Sequence, residues 1–97
     1  MKPKSYQEFE ASLIADKPPG HWSLPLQALW HDANGDWEAS HDIAQDIHSP
    51  MGSWIHAYLH RKEGDRWNAS YWYSQASKPF PAYDLNKELR KLVDANL

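Results

Sequence analysis

The sequence predicts an all-α protein of about six short helices, arranged as two tandem αα-hairpins flanked by N- and C-terminal capping helices. Three observations carry that expectation. Apolar residues recur at three- and four-residue spacing, and no stretch alternates convincingly as a strand does. A Ser or Asp able to cap a helix stands before most of these runs. The dipeptide Gly-Asp also occurs twice, at Gly35-Asp36 and Gly64-Asp65, each time between two such runs.

The first helix is expected over about residues 6–15. Ser5 and Glu8 form a capping box, Tyr6, Phe9 and Leu13 follow at helical spacing, and "DKPPG" ends the segment. Ser23 caps the second helix, with Pro25 in its first turn where a missing N–H does no harm, and the helix runs to about Asn34. Gly35 supplies the left-handed residue that closes it. Asp36 caps a third helix carrying Trp37, Ile43 and Ile47 to about His48. After "SPMG" a fourth helix runs from Pro50 or Ser53 to Glu63. Gly64 and Asp65 repeat the junction, and a fifth helix continues to about Ser77. "KPFP" stops it. Asp84 caps the last helix, expected over about 85–96, with Leu85, Leu89, Leu92 and Val93 as its buried stripe.

The two Gly-Asp junctions belong to longer similar strings. "ALWHDANGDWEAS" (28–40) lies over "AYLHRKEGDRWNAS" (57–70) with one inserted residue, matching Ala28 to Ala57, His31 to His60 and Gly35 to Gly64. Hairpin 1 is thus expected at about 23–48 and hairpin 2 at about 50–77, with a period of about 29–30 residues. The second unit places Ala57, Gly64, Ala69, Tyr73, Ala76 and Pro81 in a series that resembles a tetratricopeptide repeat. It departs from that pattern in a displaced Trp54, in His60 where a tyrosine is usual, and in a short first unit. The resemblance implies a protein-interaction scaffold that binds an extended peptide. "WIHAYLHRKEGD" and "NASYWY" also resemble a family of small uncharacterised proteins, a resemblance that implies no function.

Length and charge limit the functional classes. A chain of 97 residues forms a single domain, 1–97, too short for a catalytic domain plus a separate substrate domain. The net charge of −3, without a block of one sign, argues against nucleic acid and anionic membranes as partners. No cysteine is present, so thiol catalysis, thiolate metal sites and disulfides are excluded. No apolar run approaches the roughly 20 residues of a membrane span, and the expected location is cytoplasmic.

The aromatic residues sort by helical angle. Ala69, Trp72, Tyr73 and Ala76 share one side of the fifth helix and are expected in the core. Trp67 and Tyr71 lie opposite, facing either the C-terminal helix and "KPFPAY" or a partner. Trp37, His41 and His48 edge the third helix at positions similar to theirs. A groove lined by Trp37, His41, His48, Trp67 and Tyr71 is therefore one candidate binding surface.

A second candidate is a metal site. His56, His60 and Glu63 fall at i, i+4 and i+7, so two imidazoles and a carboxylate can reach one divalent cation; the competing reading is a solvated polar face. Ala57 follows His56 where the zinc-protease motif requires Glu. His31-Asp32 and His41-Asp42 each diverge by about 100° on a helix, so neither dipeptide closes a site alone. No nucleophile elbow or glycine-rich phosphate loop is present. Three functions follow: an interaction module for a protein or peptide partner or for self-association, a small-molecule or metal-binding protein with no other cofactor, and a small His-dependent enzyme.

Overall fold

The computed structural model describes residues 2–97, and among these it is all-α. Its helices are α1 (Tyr6–Ala11, continued by a 3₁₀ turn Ser12–Ile14), α2 (Leu24–Ala33), α3 (Trp37–Ala44), α4 (Pro50–Lys62), α5 (Arg66–Gln75) and α6 (Leu85–Asp94). Except at Ser23, whose side chain makes no cap bond to α2, the start signals act through side-chain caps. Ser5, Asp36, Asp65 and Asp84 accept the backbone N–H three residues on, and Ser49 does the same for α4. Each such cap is worth about 1 kcal/mol. Gly35 and Gly64 take φ of 85° and 88°. Matched bonds close the two turns: Asp36 N–H donates to His31 O at 2.8 Å and Asp65 N–H to His60 O at 2.9 Å.

α3 and α5 end earlier than the sequence suggests, and so does α6, which stops at Asp94. α3 ends at Ala44 rather than near His48, because Pro50 forces Ser49 into an extended conformation (φ −155°, ψ 165°). Asp46 and Ile47 meanwhile fold back onto the carbonyls of Ile43 and Ala44. α5 ends at Gln75, where Ser77 adopts a left-handed φ of 58° and Lys78 N–H returns to Tyr73 O.

α2 packs on α3 and α4 on α5, giving the two expected hairpins, and α4 also touches α2, α3 and α6. A helix covered on so many sides has no solvated face, so Trp54 to Leu59 are buried without interruption. The terminal helices pack on each other as well as on the hairpins. α1 packs on α6, and α6 lies along the first helices of both hairpins, α2 and α4. Its apolar stripe puts Leu89, Leu92 and Val93 in one core with Phe9, Leu26, Leu29, Trp30, Ile55 and Tyr58.

Two buried acids tie these layers together. Asp32 of α2 accepts Tyr58 Oη at 2.7 Å and Lys62 Nζ at 2.9 Å, both from α4. Burial, followed by the nearby Asp32 charge, raises the Tyr58 phenol well above its usual range. Glu88 of α6, fully buried, accepts Tyr73 Oη at 2.6 Å, Arg61 Nη1 at 2.8 Å and Trp54 Nε1 at 3.1 Å. The same arginine reaches Tyr83 O, so Glu88 pins α6, α4 and α5 together.

Candidate functional site: a histidine cluster between the hairpins

The packing of α3 on α4 brings His41, on the second helix of hairpin 1, against His56 and His60, on the first helix of hairpin 2. His41 Nε2 and His56 Nε2 are 3.0 Å apart. One ring nitrogen from each of the three histidines lies within 4.8 Å of the others. The arrangement differs from both candidate sites read in the sequence. It takes His41 from the groove and His56 and His60 from the metal site. Glu63 does not join the three. It contacts His60 Nδ1 at 3.2 Å instead, in a separate group of His60, Glu63 and Asp65.

Indole rings hold the imidazoles in place. Trp37 stacks on His41 with centroids 4.9 Å apart, one helical turn away on α3. Its Nε1–H donates to Leu59 O at 2.8 Å, fixing the indole to α4. Trp72 of α5 stacks on His56 at 4.1 Å and 13°. Trp72 is thus half-buried on the seam rather than in the core with Ala69, Tyr73 and Ala76, which are buried as expected.

The reading of His56 and His60 as a solvated face fails for His56, which is 8% exposed. Burial, and then the neighbouring His41 and His60, lower its pKa from 6.5 to about 4. At neutral pH it is an uncharged imidazole. One of the two facing Nε2 atoms donates and the other accepts. His60 Nδ1–H pointing at Glu63 leaves its lone pair on Nε2.

The expected aromatic groove is not formed as one surface. Trp37 and His41 turn inward to α4, while Trp67 is 78% and Tyr71 50% exposed. Trp67 therefore does not pack on the C-terminal helix or "KPFPAY". Tyr71 meets the cluster only edge-on, through Trp72. His48 is exposed at the rim of a cleft of about 280 Å³ that His56 and Trp72 also line.

No protein-family model, curated protein or solved structure matches the chain. Among the described residues no helix is long and apolar enough to cross a membrane.

Proposed function

We propose that this protein binds one divalent transition metal ion through His41, His56 and His60. The supporting observation is the convergence of three imidazole nitrogens within 4.8 Å from two different hairpins. Metal–imidazole bonds of about 2.0–2.1 Å place neighbouring ligand nitrogens about 3–3.4 Å apart. The 3.0 Å His41–His56 pair already has that spacing. The metal replaces the proton shared by those two nitrogens, and the donor's proton moves to its Nδ1.

Glu63 orients the third ligand. A carboxylate on Nδ1–H of His60 directs Nε2 towards the ion and raises its basicity, as such carboxylates do for metal-bound imidazoles. All-nitrogen donors suit zinc, nickel and copper(II) better than magnesium or calcium, which take oxygen ligands. Because the ligands come from α3 and α4, the ion cross-links the hairpins and binds the folded chain selectively. Zinc at about 100 times Kd is then expected to add about 2.7 kcal/mol of stability. For a domain of this size, Tm rises by about 10–20 °C. His41→Asn is expected to abolish that rise while leaving the metal-free Tm within a few degrees. An unchanged wild-type Tm across a zinc series contradicts the reading.

A second reading concerns the outer face of α5. The exposure of Trp67 and Tyr71, one turn apart, favours docking of a protein or peptide partner there, and a second copy of this chain is the simplest partner. Trp67→Ser is then expected to lower the mass measured by light scattering at high protein concentration. Equal masses for the two proteins rule out self-association through this face.

A further inference from the structure

Resting on the metal reading, we infer that the bound ion keeps an open coordination position that takes a small monoanion, such as a carboxylate, from the cleft beside His56. Among the described residues no fourth donor joins His41, His56 and His60: the other cluster shares only His60, and its Glu63 and Asp65 are engaged with His60 and Asn68. Zinc and its neighbours in this ligand class take at least four ligands. Three histidines plus water is the pattern of an exchangeable site rather than a closed structural one.

The adjoining cleft carries no side chain that opposes an anion. It runs between the end of α3, the first turns of α4 and the end of α5, and is lined by Gln45, His48, Ser53, His56, Trp72 and Gln75, among others. No carboxylate, lysine or arginine lines it, so an anion meets no repulsion there. The N-terminal end of α4, at Pro50 and Gly52, opens into the same space. The positive end of that helix dipole adds to the charge of the metal. Amide and hydroxyl groups of Gln45, Gln75 and Ser53 offer hydrogen-bond donors, while the Trp72 indole forms an apolar wall. A volume of about 280 Å³ admits a ligand of a few heavy atoms beside the ion.

Cobalt(II) in place of zinc makes the open position visible, because its d–d absorption bands report coordination number and exchangeable ligands. The cobalt-loaded protein is titrated with sodium azide, then with sodium acetate, for the wild type and for Gln75→Glu. Gln75 is exposed, so that variant adds one negative charge to the cleft without disturbing the core. The expected result is a saturable spectral shift with both anions and a Kd for azide about three- to tenfold weaker in Gln75→Glu. Cobalt binding with no anion-dependent shift overturns the open position and leaves the metal site standing. An azide shift unaltered by Gln75→Glu overturns the cleft as the route and seat of the anion. Absence of stoichiometric cobalt binding overturns the metal site and this inference together.

Discussion

Glu88→Ala is expected to cost about 3–5 kcal/mol, a large fraction of the stability of a domain this small. The carboxyl group is fully buried and receives three donors from two other helices: Trp54 Nε1, Tyr73 Oη and Arg61 Nη1. Truncation leaves the indole N–H, the phenol and the guanidinium short of an acceptor, and opens a cavity where α6 meets α4. The indole N–H and the phenol dominate, because both are buried and lose their only acceptor, whereas Arg61 is partly exposed and keeps Tyr83 O. Glu88→Gln separates charge from shape. It keeps the volume and one carbonyl acceptor, and is expected to lose about half as much, in line with the roughly 1.5–3 kcal/mol of a hydrogen bond to a charged group. Urea unfolding followed by tryptophan fluorescence measures both. A cost under about 1 kcal/mol for Glu88→Ala contradicts the description of this network as the clamp on α6.

Gly52→Ala is expected to destabilise by at least about 2 kcal/mol, although helix propensity alone predicts a gain of about 1 kcal/mol for alanine inside a helix. The reason is the chain that enters α4. A Cβ on Gly52 would stand 2.8 Å from Ile47 Cβ and 2.9 Å from Ile47 C, and closer still to the Ile47 carbonyl oxygen. Backbone cannot rotate away as a flexible side-chain tip does. The clash pushes the end of α3 off α4, beside the cleft that Gly52, Ile47 and His56 share. Gly20→Ala is the control, since nothing lies within 4 Å of its added Cβ. Thermal unfolding that finds Gly52→Ala equal to or above the wild type contradicts the close approach.

Local structure was legible where backbone chemistry dictates it. Gly35 and Gly64 announce left-handed turns because other residues resist positive φ, and Asp36, Asp65 and Asp84 announce helix starts because their carboxylates satisfy free N–H groups. The end of α3 was missed although Pro50 marks it: the effect of a proline on the preceding residue competes with the helical spacing of Ile43 and Ile47. Trp72 was misplaced because the angular position of a ring shows which side of α5 it occupies, and not that the seam with His56 lies on that side.

The histidine site was legible only in pieces. His56 and His60 stand one turn apart and can be paired from spacing, but His41 belongs to another hairpin, and no one-dimensional spacing encodes that meeting. Aligning His60 with His31 points it towards its hairpin partner, and the helical wheel places it on a polar face, but it meets Trp37 and His41 of the other hairpin. The wheel failed because α4 is enclosed by α2, α3, α5 and α6, so its polar stripe faces protein. Glu88 was not singled out at all, yet it interrupts the apolar stripe of α6 between Leu85 and Leu89. An acid in such a stripe is the mark of a buried acceptor.

The proposed metal site of His41, His56 and His60 is tested most directly by zinc titration followed through the imidazole resonances in ¹H–¹⁵N spectra. The ring signals of His41, His56 and His60 are expected to shift together and saturate at one zinc per chain. Those of His21, His31 and His48 stay in place, and the Nδ1–H of His60 persists on Glu63. Movement of only the other three histidines, or no movement at stoichiometric zinc, contradicts a site built from the two hairpins.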